Sequence, residues 1–291
     1  MSETLKALSN ALADTVEATS AGIVRVDGRK RFGATGIVWN DSGIIVTANH
    51  VVRRDEGITV NLPDGNSTTA TLVGRAPNAD VAVLKVDATL TALPKPKTDD
   101  VLRVGNLVLA VGRPRNSTHT TLGVVSSIGS RRMEGLIQTD VVMYPGFSGG
   151  PLMDASGQVR GMNTSGFNRG ASVAIANSHL QSIVDNLLEH GKMRQGYLGV
   201  GAQPVRLPEA LAKEFDQETG LMLASVESNS PAEAGGLLLG DIIISLDGEP
   251  TPTLDALLSL LGGTQVGKEV PVRVVRGGQT SEINVTIGER E

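Results

Sequence analysis

The spacing of apolar residues changes near residue 20, from that of a helix to that of short strands. Leucine and valine occupy positions 5, 8, 12 and 16, which places them on one face of a helix that opens the chain. From about residue 23 to residue 162, short apolar runs alternate with glycine-rich turns. The runs 36–39 and 44–46 flank the sequence NDSG, which is typical of a hairpin. Many short strands without helices between them predict a β-sandwich or a pair of β-barrels.

A helical spacing returns at the end of this strand-rich region. Ser178 and Gln181 have the spacing of a capping box, and Gly191 suits the end of the helix. Its predicted apolar face consists of Leu180, Ile183, Val184, Leu187 and Leu188. We expect this helix to close a first domain, with residues 192–195 as the linker.

The residues after the linker predict a separate domain of strands with one or two helices. Thr251 and Pro252 are suited to cap and begin one of these helices. Gly262 and Gly263 are suited to end it. Its predicted apolar stripe consists of Leu254, Leu257, Leu258 and Leu261.

Composition and charge exclude several classes of protein. Hydrophobic residues make up 40% of the chain but aromatic residues only 2%, so the cores must consist of Val, Leu, Ile and Ala. The net charge is -5 and the longest basic block is Arg29-Lys30-Arg31, which argues against a nucleic-acid partner. The absence of cysteine excludes disulfides, thiolate metal sites and a cysteine nucleophile.

The beginning of the chain and its apolar runs bear on its location. Residues 1–6 lack the basic start and the apolar run of roughly 7–15 residues of a secretory signal. No stretch approaches the ~20 apolar residues of a membrane span. We therefore expect a cytoplasmic protein as the chain is given, or a cell-envelope protein if the chain is a trimmed form.

Residues 145–151 (PGFSGGP) offer a candidate nucleophile in Ser148. A tight glycine turn exposes the serine Oγ and can direct the N–H groups of Gly146 and Ser148 at one point, as acyl transfer requires. Taken alone, the segment fits a plain hairpin turn equally well. His50 ends a strand and Asp80 precedes another, so each also fits a structural role, as a half-buried histidine and a turn cap.

The order of these three residues separates two kinds of serine hydrolase. The sequence GFSGG also matches the nucleophile elbow of α/β-hydrolases, which requires a helix after the serine and the order Ser, acid, His. Here Gly149-Gly150-Pro151 is a poor helix start, and His50 and Asp80 precede Ser148. The order His, Asp, Ser is that of the chymotrypsin-type fold.

Three separated motifs then resemble the HtrA (high-temperature-requirement) serine proteases: residues 46–52 (VTANHVV), 78–84 (NADVAVL) and 137–152. The resemblance covers nearly the whole chain from about residue 20. It implies a mostly β protein, with a chymotrypsin-like double β-barrel protease domain followed by an α+β PDZ domain. By resemblance, His50 is the general base, Asp80 fixes its tautomer and Ser148 attacks the peptide carbonyl. The turn Gly146, Phe147 and Ser148 would form the oxyanion hole, with Gly146 and Ser148 as donors.

The chain also departs from this family pattern. Phe147 replaces the usual Asn, Met143-Tyr144 replaces Ile-Asn, and the loop 126–135 looks short, so loop switching of the family kind is not expected. The resemblance implies a substrate-facing strand beside a primary pocket for small or medium aliphatic residues. Gly166 stands where a larger residue is usual, which predicts a wider pocket. The implied substrate-binding residues are Met143, Asn163, Thr164, Ser165 and Gly166.

The second domain carries its own resemblance, to bacterial PDZ domains, in residues 230–237 (SPAEAGGL) and 239–248 (LGDIIISLDG). A PDZ domain binds a chain end as an added strand and captures its carboxylate with loop N–H groups. By resemblance that loop is Tyr197, Leu198, Gly199 and Val200, and the helix 253–261 would wall the groove. The alternative is that these leucines are only core residues. The implied division is a helical segment 1–20, a trypsin-like protease domain 21–192 and a PDZ domain 196–291.

The leading hypothesis is a serine endopeptidase that cleaves unfolded or damaged proteins, with a PDZ domain that binds substrate or activating C-termini. The alternatives are a PDZ-bearing chaperone or scaffold whose protease fold is silent because Phe147 distorts the oxyanion turn, and an esterase. Relatives of this kind form trimers through N-terminal aromatic residues. None precedes Phe32 here, so a homotrimer would use the stripe Leu5, Leu8 and Leu12 instead. No metal or organic cofactor is implied, because the histidines are scattered and no EF-hand or zinc spacing occurs.

Overall fold

The computed structural model describes residues 3–29, 32–95, 101–129, 135–167, 172–261 and 265–290. The chain divides into two compact units, Met1–Met193 and Arg194–Glu291. Within the described ranges, none of the helices is long and apolar enough to cross a membrane.

Two closed six-stranded barrels form the body of the first unit. The first barrel has the strand order β1-β2-β3-β6-β5-β4 and the second β10-β11-β12-β9-β8-β7. The predicted double β-barrel is confirmed. The strands are β1 (Ile23–Asp27), β2 (Ala34–Val38), β3 (Ile44–Ala48), β4 (Ile58–Asn61), β5 (Ser67–Ala76), β6 (Val81–Val86), β7 (Leu107–Gly112), β8 (His119–Ile128), β9 (Leu136–Thr139), β10 (Pro151–Asp154), β11 (Val159–Thr164) and β12 (Ser172–Ala176).

The pairing of β3 with β6 brings two candidate site residues together. All five residues of β3 are buried, which explains why its sequence is apolar without alternation. The two strands are antiparallel, with Ala48 opposite Val81. His50 follows the end of β3 and Asp80 precedes β6, so both lie at the same end of the first barrel.

The second barrel brings the serine turn to the end of another strand pair. β10 and β11 are antiparallel, with Pro151 opposite Met162. Ser148 precedes β10 and Ser165 follows β11, so these two residues also share one end of a barrel. β11 in turn contacts β3 of the first barrel. The loop predicted to be short, 126–135, includes residues 130–134, which lie outside the described residues.

Two helices, α1 (Glu3–Thr19) and α2 (Asn177–His190), complete the first unit. On α1, Leu12 and Val16 pack against the core, whereas Leu5 and Leu8 are exposed. The predicted capping box of α2 is wrong. Strand β12 runs directly into the helix at Asn177, so Ser178 already lies inside the first turn, and the residue before the helix makes no side-chain cap.

The C-terminal end of α2 matches the prediction. Gly191 has a left-handed φ of 72°, and its N–H donates to the carbonyl of Leu187. Glycine adopts this conformation without the steric cost that a Cβ adds.

The second unit is an α+β domain around a five-stranded path β14-β15-β16-β18-β19, with β17 paired to β16 and a separate pair β13-β20. The predicted α+β fold is confirmed. The elements are β13 (Gly196–Tyr197), β14 (Val200–Arg206), α3 (Glu209–Phe215), β15 (Thr219–Val226), α4 (Pro231–Gly235), β16 (Ile242–Leu246), β17 (Glu249–Pro250), α5 (Leu254–Leu260), β18 (Glu269–Arg276), β19 (Gln279–Thr286) and β20 (Gly288–Glu289).

Helix α5 begins two residues later than the sequence predicts. Thr253 caps it by accepting a hydrogen bond from the Ala256 N–H. Thr251 is fully buried instead, its N–H donates to the Ile244 carbonyl, and its hydroxyl bonds to no helix N–H in the described residues, so it is not the cap. The predicted stop at Gly262 and Gly263 lies outside the described residues.

Candidate active site

His50 and Asp80 form a two-point contact at the end of the first barrel. His50 Nδ1 lies 2.8 Å from Asp80 Oδ2, and the backbone N–H of His50 donates to Oδ1 at 2.9 Å. The N–H of Asn49 also donates to the backbone carbonyl of Asp80 at 3.1 Å. An ionised carboxylate only accepts hydrogen bonds, so this contact places the imidazole proton on Nδ1 and leaves Nε2 free to act as a base.

Thr164 supplies a further donor to the same carboxylate. Its hydroxyl donates to Asp80 Oδ2 and accepts a hydrogen bond of 2.9 Å from the N–H of Gly166. Burial of Asp80, which is 5% exposed, opposes ionisation of the carboxyl. The hydrogen bonds from His50 and Thr164 outweigh that effect and lower the pKa of Asp80 below its ordinary value. The carboxylate therefore stays charged at neutral pH.

Asp80 also has an unusual backbone conformation. Its φ is +53°, in the left-handed region that few residues other than glycine adopt. Aspartate tolerates this region better than most residues. The hydrogen bonds from Asn49 and His50 hold the residue there, and the conformation directs its carboxylate at the imidazole.

The serine turn is locked onto the end of β11. The N–H of Gly149 donates to the Asn163 carbonyl, and the Asn163 N–H donates to the Gly150 carbonyl, both at 2.8 Å. The side-chain amide of Asn163 donates to the Pro151 carbonyl at 2.7 Å. These bonds fix the backbone that follows Ser148, which is itself buried.

Thr35 on β2 fixes the other side of the turn. Its N–H donates to the Ser148 carbonyl at 3.2 Å, and its hydroxyl donates to the Gly146 carbonyl at 2.6 Å. The same hydroxyl accepts a hydrogen bond of 2.7 Å from the Arg113 N–H. The role of Thr35 cannot be recognised from the sequence, because its partner Gly146 lies 111 positions away and no local pattern links the two.

The backbone donors of the turn fit an oxyanion hole made by Gly146 and Ser148. Within the described residues, neither of these two N–H groups has a protein acceptor. The N–H of Phe147 instead donates to the Tyr144 carbonyl at 3.0 Å, so Phe147 does not fit the role of a third donor. Gly146 has φ of +95°, and an added Cβ would collide with Pro114, so only glycine suits this position.

The Phe147 side chain leaves the turn and enters the core of the second barrel. It is 1% exposed and packs with Val108 and Leu152. It occupies the space beside Gly112, where a Cβ would lie 2.6 Å from the ring. Its ring also contacts Tyr144 edge-on, with 5.8 Å between the ring centres. The bulk of Phe147 thus lies in the core of the second barrel.

Ser165 is the nearest polar neighbour of the Ser148 hydroxyl. The two Oγ atoms lie 3.1 Å apart, and Ser165 Oγ lies 3.5 Å from His50 Nε2. Within the described residues, no hydrogen bond joins Ser148 directly to His50. The structure therefore brings the predicted catalytic residues His50, Asp80 and Ser148 into one cluster with Ser165 between the base and the nucleophile.

The other predicted substrate-binding residues differ in what they offer to a ligand. Asn163 and Thr164 are 1% exposed and use their polar groups within the protein, so they position other residues. Met143 is half-buried and packs against the second core. Ser165 and Gly166 are exposed. A Cβ on Gly166 would lie 2.6 Å from Asp80 Oδ2, which gives this glycine a reason unrelated to a wide pocket.

The predicted carboxylate loop lies between β13 and β14 in the second unit. The carbonyls of Leu198 and Gly199 accept hydrogen bonds from Ala232 and Glu227, whereas their N–H groups have no acceptor in the described part of the chain. The Leu198 side chain is a core residue, as the alternative interpretation held. Tyr197 donates its hydroxyl to Glu227 at 2.5 Å, and this hydrogen bond raises the pKa of Tyr197.

Strand β14, which follows this loop, is the edge of its sheet. It pairs with β15 on one side, and its other side has no strand partner in the described residues. Helix α5 contacts β14 and exposes two leucines one turn apart, Leu254 and Leu258. Leu257 and Leu261 of the same stripe are buried in the core.

Comparisons with known proteins agree with the double β-barrel of the first unit and the α+β fold of the second. The family described as "Trypsin-like peptidase domain" matches residues 34–162, and "PDZ domain" matches residues 196–287. The solved structure "HtrA-type protease AlgW with tripeptide" is 30% identical, with a TM-score of 0.77 over 96% of this chain and 97% of that chain. The chain belongs to the HtrA family of serine proteases. The HtrA chain also resembles the serine endoprotease from Yersinia pestis, at 28% identity and a TM-score of 0.79 over 96% of this chain and 98% of that one.

Curated relatives of this HtrA chain are longer than the chain itself. The "Probable periplasmic serine endoprotease DegP-like" of Pseudomonas fulva is 37% identical over 264 residues, which cover 87% of this chain and 55% of that protein. The protein of the same name from Chlamydia trachomatis is 35% identical, over 53% of its length. The HtrA chain thus spans about half the length of these relatives. The word periplasmic in the names of these relatives does not support the expectation that this chain is cytoplasmic.

Proposed function

We propose that this HtrA-family chain is a serine endopeptidase that acts through an acyl-enzyme, with Ser148 as nucleophile, His50 as general base and Asp80 as its orienting partner. One observation carries the proposal. The Asp80 contact leaves His50 Nε2 available, and the neighbouring serine turn holds two N–H groups, those of Gly146 and Ser148, that have no acceptor among the described residues. Acyl transfer needs this combination of nucleophile, base and oxyanion donors.

The first half of the reaction forms the acyl-enzyme. The Ser148 O–H bond breaks, its oxygen bonds to the carbonyl carbon of the substrate, and the proton passes to His50 Nε2. The imidazolium keeps its Nδ1 proton toward Asp80, and the carbonyl oxygen becomes an oxyanion beside the N–H groups of Gly146 and Ser148. His50 then returns the proton to the leaving amine as the C–N bond breaks.

The second half repeats these steps with water. His50 removes a proton from a water molecule, whose oxygen attacks the acyl carbon, and the proton then returns to Ser148 as the ester bond breaks. Loss of one oxyanion donor typically costs about 10²–10³ in rate, so Gly146 and Ser148 contribute a large share of the catalysis.

Unfolded or damaged proteins are the substrates that this site favours. The exposed residues Ser165 and Gly166 directly follow β11 and offer backbone to an extended chain beside Ser148. A folded protein does not present an extended segment of this kind. The names of the relatives support an endoprotease that acts in the cell envelope, and we extend that location to this chain as part of the proposal.

The second unit is proposed to bind peptide C-termini. A peptide strand would pair with the free edge of β14, and its terminal carboxylate would accept from the N–H groups of Leu198 and Gly199. Leu254 and Leu258 would supply apolar contacts along the groove. The titles of the AlgW structures with a tripeptide and a decapeptide describe peptide complexes of that relative. A homotrimer stays a prediction, which sedimentation equilibrium would test.

Fluorophosphonate labelling tests the nucleophile directly. The wild-type protein, Ser148→Ala and Ser126→Ala would be treated with the probe, and β-casein cleavage would be followed in parallel. We expect labelling and cleavage in the wild-type protein and in Ser126→Ala, an exposed serine on β8, and neither in Ser148→Ala.

Three outcomes would contradict the proposed function. Cleavage that persists in Ser148→Ala would assign the nucleophile elsewhere. A wild-type protein that is not labelled, even after addition of a peptide with a hydrophobic C-terminus, would favour the chaperone or scaffold alternative. Labelling without casein cleavage would favour the esterase.

A further inference from the structure

The position of Ser165 gives the site a feature that the three proposed catalytic residues do not account for. Its hydroxyl is 3.1 Å from the Ser148 hydroxyl and 3.5 Å from His50 Nε2. The first distance is at the long end for a hydrogen bond between two hydroxyls, and the second is at the outer limit for one to a ring nitrogen. Ser165 is thus the group through which the nucleophile and the base are connected in this structure.

The backbone around Ser165 is fixed by the groups that hold Asp80. Thr164, directly before it, is tied to the Asp80 carboxylate, and Gly166, directly after it, donates its N–H to the Thr164 hydroxyl. The Cα of Gly166 also faces Asp80 closely. The backbone of Ser165 is therefore held by the same network that orients His50, although the residue is exposed.

A serine hydroxyl is chemically suited to this position. It carries one donor and two acceptor lone pairs, so it can accept the Ser148 proton while it donates its own proton to His50 Nε2. An aliphatic residue at this position offers neither function. The arrangement of Ser148, Ser165 and His50 has the geometry of a short proton path.

We propose that Ser165 takes part in catalysis as a relay of the Ser148 proton, a proposal that rests on the endopeptidase function above. As the Ser148 oxygen bonds to the substrate carbonyl carbon, its proton moves to Ser165 Oγ. The proton of Ser165 moves at the same time to His50 Nε2. Ser165 ends the step with one proton, as it began, and His50 becomes the imidazolium beside Asp80. No other reactant is needed.

Replacement of Ser165 by alanine and by threonine tests the relay. Ser165→Ala removes the hydroxyl, and Ser165→Thr keeps it. General acid–base steps contribute about 10²–10⁴ in rate, and direct contact between Ser148 and His50 would recover part of it, so we expect Ser165→Ala to lower kcat and the fluorophosphonate rate about tenfold. KM should change less than twofold, and Ser165→Thr should restore most of the rate. Ser126→Ala serves as the matched control and should behave like the wild-type protein.

A proton inventory separates a relay from a structural effect. When kcat is plotted against the fraction of D₂O in the solvent, the points should follow a curve for the wild-type protein and Ser165→Thr, because two protons move together. They should fall along a straight line for Ser165→Ala, where one proton moves. Thermal unfolding would verify that all variants are folded.

The outcomes distinguish this inference from the proposed function. An unchanged or faster rate in Ser165→Ala, or a proton inventory that stays curved in it, overturns the relay while the loss of activity in Ser148→Ala still supports the endopeptidase. A wild-type protein without labelling or cleavage overturns both.

Discussion

The Cα of Gly166 faces the carboxylate of Asp80 so closely that an added Cβ would lie 2.6 Å from Oδ2. Real Cβ atoms do not approach an oxygen at that distance, so any other residue at 166 shifts either the Asp80 carboxylate or the backbone at 166. The contact links a residue after β11, in the second barrel, to one before β6, in the first. It makes the orientation of His50 dependent on a glycine of the other barrel.

Gly166→Ala should therefore impair catalysis more than it impairs folding. Displacement of a catalytic group by about 1 Å can cost 10²-fold in rate, and we expect a fall of about that size in kcat/KM toward a fluorogenic peptide. Gly65→Ala is the control, because nothing lies within 4 Å of the Cβ it adds, although it strains its own turn. A value of kcat/KM within twofold of wild type in Gly166→Ala would contradict the assigned role.

Thr164→Val should reduce stability in a pH-dependent way. The pKa of Asp80 is lowered in the folded protein, so its contribution is present above the unfolded pKa, about 3.9, and is lost as pH falls through the folded pKa. Without the Thr164 donor the pKa of Asp80 rises toward its ordinary value. We expect a loss of about 1.5–3 kcal/mol in the free energy of unfolding at pH 7, since the acceptor is charged.

The loss of unfolding free energy in Thr164→Val should become smaller as the pH falls through the folded pKa of Asp80. Urea unfolding in a Ser148→Ala background, which prevents self-cleavage, would measure it. Trp39, the only tryptophan, is buried in the first unit, so its fluorescence reports unfolding of that unit. Thr164→Ser keeps the hydroxyl and should stay close to wild type. An equal loss in both variants would contradict the role given to the hydroxyl, because Thr164→Ser keeps it.

Phe147→Ala should destabilise the first unit strongly, because it leaves a cavity beside Gly112 in the second barrel. Truncation of a buried phenylalanine typically costs about 3–5 kcal/mol, and we expect a loss in that range by urea unfolding. Tyr144→Ala is the control, since Tyr144 is 57% exposed and should cost less than about 1 kcal/mol. Similar losses in the two variants would contradict the assignment of Phe147 to the core.

Leu258→Glu should weaken peptide binding at the second unit without a loss of stability. Leu258 is 43% exposed, and burial of a leucine is worth about 1.5–3 kcal/mol, so we expect affinity for a peptide with a hydrophobic C-terminus to fall at least tenfold. Fluorescence polarisation with the full chain would measure it. Leu239→Glu, at a residue 70% exposed, is the matched control and should bind normally. Equal weakening of peptide binding in both variants would contradict the proposed position of the groove.

Much of the architecture was predictable from the sequence, because apolar spacing and turn residues act locally. The strands of the first barrel followed from runs such as Ile44–Ala48, and the end of α2 followed from Gly191. The capping box at Ser178 failed for a physical reason. A side chain caps a helix only if it stands just outside the first turn, and the direct passage from β12 into α2 places Ser178 inside it.

The sequence by itself determined which residues are candidates: the order His50, Asp80, Ser148, the glycine turn and the family resemblance are all properties of the chain as written. The tertiary structure alone decided how those residues are held. Thr164 reaches Asp80 across 84 positions, and Ser165 reaches His50 across 115. Closure of two barrels creates these contacts, and no local preference encodes them. The burial of Phe147 in the core likewise depends on the space that Gly112 leaves beside it.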